Sequence, residues 1–283
     1  MRVLVTGGAG QLGHDVLKQL HRMQIEAIGA DKDEFDLLDT FAAQEFILAC
    51  KPDTVIHCAA YTQVDQAEDE PDICRNINIA GTEHVAQACL KAGSSLCYLS
   101  TDYVFDGTLS GRAYEVSDRP NPLSVYGQSK YEGEKITAGL IANHYIVRTS
   151  WLFGSHGHNF VKTMLKMGEF SPSLRVVADQ TGSPTYTADL ARFLADLIQT
   201  ENFGCYHVTN SGFCSWADFA AEIFVQMGWP VAVERIPSVD YPTKATRPKN
   251  SRLSPQSIIQ AGLPLLPDWK DGLSRFLKEI NAV

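Results

Sequence analysis

Short apolar runs alternate with segments whose apolar positions recur at helical spacing, from the first residues to about residue 150. RVLVT at 2–6, EAIGA at 26–30, TVIHCAAY at 54–61, SLCYLST at 95–101 and HYIVRTSW at 144–151 have the length and β-branched content of strands. Between them lie HDVLKQLHRM, AAQEFILACK, a helical pattern from about Asp72 to Lys91, and YEGEKITAGL, which read as helices. Strands apolar on both faces need cover on both, and a strand–helix alternation supplies it, so the pattern predicts an α/β fold with a doubly wound parallel sheet. The regularity changes after Gly154. A loop and helix, then a short strand, a turn and a helix, then one more strand in CYHVTN, give way from Ser215 to helices separated by proline-rich loops. The division predicted is a main domain of 1–150 plus about 186–210, with a smaller, mostly helical domain of 151–185 plus 211–283.

Composition narrows the class. A length of 283 residues with 45% hydrophobic and 20% charged positions describes an ordinary globular chain with a sizeable core. The net charge of -9 argues against a nucleic-acid partner and means that an anionic ligand must find a local basic patch. No apolar run approaches the roughly 18 residues of a membrane span, and MRVLVTGG runs straight into a strand and a glycine turn, so no membrane partner and a cytoplasmic location are expected. Seven cysteines form no CxxC and no metal-ligand spacing, which predicts free thiols, mostly buried.

The chemistry-bearing stretches follow the strands. Gly7, Gly10 and Gly13 punctuate the turn from the first strand into a helix, where a tight turn and free helix N–H groups suit a pyrophosphate. Asp31 ends the second strand, 18 residues after Gly13, the place of an acid that hydrogen-bonds an adenosine ribose; Lys32 beside it would offset repulsion of a 2′-phosphate, leaving NADH and NADPH both open. Thr101 closes the fourth strand, facing the crevice where ligands bind. In YGQSK, Tyr126 and Lys130 stand one helical turn apart, so an ammonium beside a phenol is expected to lower its pKa and ready it for proton transfer. Lys244, Arg247, Lys249 and Arg252 fall within nine residues with no acid among them, and Arg247 is the best candidate to hold a diphosphate. His57 reads as a core histidine, the acidic run from Asp65 to Asp72 as a solvated loop and helix start, and His156 with His158 as a weak metal signal.

GGAGQLG at 7–13, STDYVF at 100–105, YGQSK at 126–130, RTSW at 148–151, NFVKTM at 159–164, DQTGSPT at 179–185 and RPKNSRL at 247–253 together resemble the dTDP-4-dehydrorhamnose reductases of the extended short-chain dehydrogenase/reductase superfamily. The resemblance covers nearly the whole chain and implies a Rossmann-like NAD(P)-binding domain with a sugar-nucleotide domain. It implies a catalytic set of Thr101, Tyr126 and Lys130. Cofactor contacts would fall on Gly10, Gln11, Leu12, Gly13, Asp36, Leu37, Ala59, Ala60, Tyr61 and Lys130, beside Gly7 and Asp31. Substrate contacts would fall on Val104, Trp151 and the loop holding Thr181, Ser183 and Thr185. The activity implied is NAD(P)H-dependent reduction of the C4 ketone of dTDP-4-dehydro-β-L-rhamnose. Some members of the family carry a Mg2+ bound by glutamates at a homodimer interface; those ligands are not matched to particular residues here.

Two other readings share parts of this pattern. The β subunit of methionine adenosyltransferase is a non-catalytic relative in fold, and the presence of Thr101, Tyr126 and Lys130 together argues against that silent role. Sugar-nucleotide dehydratases and epimerases are the second; dehydratases carry an acid pair after the threonine, where this chain has Asp102 and then Tyr103.

Overall fold

The computed structural model describes residues 1–280; the expected second domain runs on to 283, and its last three positions lie outside the described residues. Strands form at β1 (Arg2–Thr6), β2 (Glu26–Ala30), β3 (Thr54–His57), β4 (Ser95–Thr101), β5 (His144–Thr149) and β6 (Gly204–His207). They pair in the order β6-β5-β4-β3-β1-β2, with every pairing parallel. The chain winds outward from β1 to β2 on one side and through β3 on the other, so the reversal point lies between β1 and β3, where open parallel sheets bind ligands. Register sets Thr6 opposite both Ala30 and His57, and His57 opposite Tyr98, while β4 and β5 run on three residues further to the pair Thr101 and Thr149, with Arg148 opposite His207.

Among the described residues eight helices of eight residues or more cover this sheet and build the rest: α1 (Gln11–Arg22), α2 (Thr40–Cys50), α3 (Gly81–Ala92), α4 (Val125–Leu140), α5 (Phe160–Gly168), α6 (Thr187–Leu197), α7 (Trp216–Met227) and α8 (Trp269–Glu279). On one face Leu12, Val16 and Leu20 of α1 and Leu190 and Leu194 of α6 pack over Val3 and Val5. On the other, Ile47 of α2 and Val85 of α3 meet Leu4, Val55 and Leu96. Each such side chain contributes about 1.5–3 kcal/mol on burial, enough to override the unremarkable helix propensity of the β-branched residues among them. A third core, rich in aromatics, joins Phe153 to Phe219 and Phe224 of α7 and Phe276 of α8. Side-chain caps fix where helices begin: Asp39 accepts from Phe41 and Ala42 N–H ahead of α2, Ser124 from Gly127 N–H ahead of α4, and Ser215 with Asp218 forms a reciprocal box at α7.

Three local features depart from the sequence pattern. The helix expected over 72–91 is broken into Gln66–Asp69, Pro71–Arg75, a π-helical turn at Asn76–Ala80, and α3. The widened turn directs the buried Asn78 amide to Tyr61 N–H and C=O and to Ser129 Oγ, bonds that compensate the irregular ladder. The fifth strand stops at Thr149, because Trp151 takes a left-handed backbone with φ of 49° and the chain resumes as a two-residue strand, Leu152–Phe153. Finally, the smaller region carries four two-stranded ribbons besides its helices, pairing Ser173–Val177 with Ala232–Ile236, Leu152–Phe153 with Thr185–Tyr186, Thr181–Gly182 with Cys214–Ser215, and Asn210–Ser211 with Leu266–Asp268. Most of these strands are two or three residues long, too short to display an alternation.

Candidate active site

A single cleft of about 1140 Å³ runs along the carboxyl ends of the sheet strands and out to the smaller region. At its sheet end the glycine turn leaves β1. Gly7 has φ of 69°, and a Cβ there would stand 2.7 Å from Ala59 N; a Cβ on Gly13 would stand 2.0 Å from the Gly7 carbonyl oxygen. Only glycine lets the turn close this tightly on both neighbours while α1 points its first amides at the cleft. Gln11, Leu12, Leu37, Ala59, Ala60 and Tyr61 line the same end. Asp31 also lines it, and its Oδ2 accepts the Ala9 N–H at 2.6 Å, so the carboxylate faces the glycine turn. Asp36 differs: its carboxylate turns back to accept Leu38 N–H, and it is absent from the cleft wall.

The centre of the cleft holds Thr101, Tyr126 and Lys130. Ser124 caps α4 so that Tyr126 falls in its first turn, and Gly127 is needed there because a Cβ would meet the Tyr103 carbonyl oxygen at 2.3 Å. Lys130 is buried, with Nζ 4.2 Å from the centre of the Tyr98 ring. Burial lowers its pKa to about 7, against the opposing pull of the Glu134 carboxylate. The Tyr126 phenol is raised above its ordinary value, burial being the main cause and the Thr101 hydroxyl working the other way. The lowered phenol pKa expected from YxxxK therefore does not hold: loss of hydration raises it, with the neighbouring Asp102 carboxyl pushing the same way. Thr101 Oγ1 donates to Asp102 Oδ1 at 3.1 Å, and burial pushes the Asp102 carboxyl up to about 6.

The far end is walled by Trp151, Trp216 and Arg247. The two indoles stack with centroids 3.5 Å apart and planes 10° apart. Trp151 keeps its left-handed backbone, a cost of roughly 1–2 kcal/mol, under that stack on one side and Gly182 on the other, where a Cβ would approach its ring to 2.7 Å. The 181–185 loop is thus a backing for Trp151. Thr181 bonds through its main chain to Lys249 and Ser251, Ser183 Oγ donates to the Gly212 carbonyl, and Thr185 is buried with its N–H on the Trp151 carbonyl. Val104 likewise is enclosed by Phe105, Tyr114 and Leu253. None of the side chains of Val104, Thr181, Ser183 or Thr185 reaches the cleft wall, since each is taken up by packing or by the ribbon it belongs to.

The basic stretch is not free of acids in space. Arg247 Nη2 donates to Asp65 Oδ2 at 2.6 Å, Lys244 pairs with Asp69, and Lys249 stands 3.9 Å from Asp179. The acidic run of 65–72 is the solvated helix start expected, with two short helices, and its Asp65 and Asp69 also form half of a charged seam. Arg247 is only 28% exposed and lines the cleft, and its Nε is buried with no partner. Residues that the sequence did not single out also line the cleft, Trp216 and Gln63 among them, and so does Tyr103, which meets the Tyr126 ring edge-on with centroids 5.8 Å apart.

Other expectations resolve simply. His57 is buried, its Nδ1 paired with Thr6 Oγ1 at 2.7 Å, and burial lowers its pKa to about 3. His156 stacks on His14 at 3.4 Å, while His158 lines the cleft. Among the described residues no group of three or more His, Cys, Asp or Glu side chains could hold a metal ion, so Mg2+ finds no ligand set there. All seven cysteines are unpaired, four buried and three half-buried. No helix among the described residues is long and apolar enough to cross a membrane.

Comparison with known proteins bears on all of this. The family model described as RmlD substrate binding domain matches residues 1–282. The dTDP-4-dehydrorhamnose reductase of Aggregatibacter actinomycetemcomitans is 40% identical, over 99% of this chain and 98% of its own. A crystal structure of dTDP-4-dehydrorhamnose reductase from Bacillus anthracis in complex with NADP is 41% identical with a TM-score of 0.95, covering 98% of this chain and 99% of that one. A dTDP-4-dehydrorhamnose reductase structure from Clostridium acetobutylicum is 40% identical with a TM-score of 0.97, covering 99% and 100%.

Proposed function

The chain belongs to the RmlD family of dTDP-4-dehydrorhamnose reductases, and from that premise we propose that it reduces the C4 ketone of dTDP-4-dehydro-β-L-rhamnose to dTDP-β-L-rhamnose with NADPH or NADH, as a cytoplasmic enzyme. The observation that carries the reading is one continuous cleft whose wall includes the glycine turn, Thr101, Tyr126 and Lys130, and Arg247 with the indole stack. A volume near 1140 Å³ exceeds the roughly 300–1,000 Å³ of a pocket for one small ligand, as two nucleotides meeting end to end require.

Roles follow from position. The tight Gly7–Gly13 cradle and the first amides of α1 suit a pyrophosphate, and Asp31 with Lys32 suits an adenosine ribose with or without a 2′-phosphate. When bound there, the nicotinamide supplies the hydride for C4. Tyr126, whose raised pKa keeps it protonated at neutral pH, gives its proton to the oxygen as charge develops on it. The Thr101 hydroxyl, turned here to Asp102, can rotate toward that oxygen. Lys130 in its ammonium form lowers the energy of the phenolate that Tyr126 becomes. At the other end the Arg247 guanidinium, which lines the cleft, is the cation for the diphosphate, with the indoles of Trp151 and Trp216 as the wall for the sugar.

The test is a panel of dTDP-, UDP- and GDP-linked 4-ketosugars assayed with NADH and with NADPH. Preferential turnover of the dTDP-linked 6-deoxy ketosugar supports the reading; turnover of none of them, with cofactor still bound, removes it.

A further inference from the structure

We propose that Glu134 is a positioning residue for the reaction, its carboxylate fixing α4 to the ends of β4 and β5 and balancing the charge of Lys130. The proposal rests on the reading that Lys130 acts as a cation beside Tyr126. Tyr126, Lys130 and Glu134 follow one another at four-residue steps and so share one face of α4. Glu134 is 4% exposed, yet both of its oxygens are occupied: Oε1 accepts from Ser100 Oγ at 2.5 Å and Arg148 Nε at 2.8 Å, and Oε2 from Arg148 Nη2 at 2.7 Å. Ser100 and Arg148 are register partners on β4 and β5. Ser100 immediately precedes Thr101. One carboxylate thus joins the helix that carries Tyr126 and Lys130 to the strand end that carries Thr101.

The charges around it are lopsided. Lys130 faces His57 and Cys58 from the β3 side, Cys74 from the short helix before the π turn, Tyr98 from β4 and Tyr126 from its own helix. Glu134 itself faces Arg148 on β5, Tyr98 on β4 and Cys205 on β6, with His207 behind Arg148. Burial keeps His57 and His207 neutral, each near 3, and holds the Cys58 thiol up at about 12. Cys74, Tyr98 and Tyr126 are raised as well, so none of them carries negative charge at neutral pH. Glu134 is therefore the one carboxylate set against two cations, Arg148 and Lys130. Without it, Lys130 would stand in a buried wall beside an uncompensated guanidinium and would release its proton more readily.

The experiment is the pH profile of kcat/KM for the ketosugar at saturating cofactor. Activity that needs the Lys130 ammonium is present below its pKa and lost above it; removing the Glu134 charge lowers that pKa, so the alkaline loss should begin earlier. For Glu134→Gln the alkaline limb is expected to move down by about one pH unit or more, a roughly tenfold loss on that limb, with a smaller loss at acid pH. Glu134→Gln combined with Arg148→Met removes both members of the buried pair and guards against misfolding; with no guanidinium left uncompensated its limb should move down less than that of Glu134→Gln, while kcat falls because α4 has lost its tie to β4 and β5. Glu134→Asp keeps both charges and should retain the wild-type limb with reduced kcat. A folded Glu134→Gln with the wild-type limb, a folded double variant with wild-type kcat, or an equal limb displacement in Glu134→Asp overturns the proposal. Lys130→Met separates the premise: wild-type rate and limb in that variant would remove the role of Lys130 itself, whereas loss of activity there with an unmoved limb in Glu134→Gln removes only the role of Glu134.

Discussion

The two ends of the cleft are built by different means. At the sheet end the wall is main chain: parallel register sets Thr6 level with His57 and Tyr98, and Gly7 and Gly13 leave no room for a side chain between turn and helix. At the other end the wall is a set of side chains held by partners far away in sequence, with Arg247 on Asp65, Trp151 on Trp216, and Gly182 behind the indole. A main-chain wall fixes where a dinucleotide can lie and tolerates exchange of the side chains around it. A side-chain wall can be redesigned residue by residue, which is how one fold serves many sugar nucleotides. Tyr126 and Lys130 sit where the two meet.

That contrast can be broken at its seam first. Tyr126→Phe keeps the ring and its edge-on contact with Tyr103 and loses only the proton, so turnover should fall about 10² to 10⁴-fold with cofactor affinity nearly unchanged. Retention of more than roughly a tenth of the rate, with chemistry limiting, would take the proton donor elsewhere. Next in size is the side-chain wall. Arg247→Ala should weaken dTDP binding by roughly ten- to a hundredfold, the worth of a charged hydrogen bond, and leave cofactor binding untouched. Calorimetric titration of dTDP decides it, and equal affinities would move the diphosphate away from the Asp65–Arg247 seam. The smallest effect belongs to the main-chain wall. Asp31→Ala should shift the NADH to NADPH preference toward NADPH by several-fold, since the glycine turn still binds the pyrophosphate and only the ribose end changes. An unchanged ratio of kcat/KM for the two cofactors would put Asp31 outside the ribose site.

The same contrast explains what could be read from the residue order. Parallel strands leave runs such as TVIH and SLCYLST, and the glycine turn must be contiguous, so the sheet and its crevice were legible. Tyr126 and Lys130 were legible for the same reason, being one helical turn apart. Their electrostatics were not, because the burial of the phenol and the Asp102 and Tyr103 groups set beside it are properties of the folded wall. Asp65 and Arg247 are separated by 182 positions, and neither local composition predicts the pair. Trp216 opens α7 as an ordinary aromatic in helical spacing, and only the stack on Trp151 reveals it. Val104 and the 181–185 loop carry motif letters that the fold spends on packing behind the wall. Glu134 follows Lys130 by one turn and looks in sequence like a surface i, i+4 partner; its burial against Arg148 comes from sheet register.

The central claim, that the two walls bring a nicotinamide and the C4 ketone of a dTDP-linked deoxysugar together, has a direct measurement. The protein is incubated with dTDP-4-dehydro-β-L-rhamnose and NADPH carrying deuterium at the transferable position, and the product is examined by NMR. One deuterium at C4 of dTDP-β-L-rhamnose, with an equivalent of cofactor oxidised, is the predicted result. Cofactor oxidation without deuterium at C4, or an unchanged ketosugar under conditions where both ligands bind, would contradict the account.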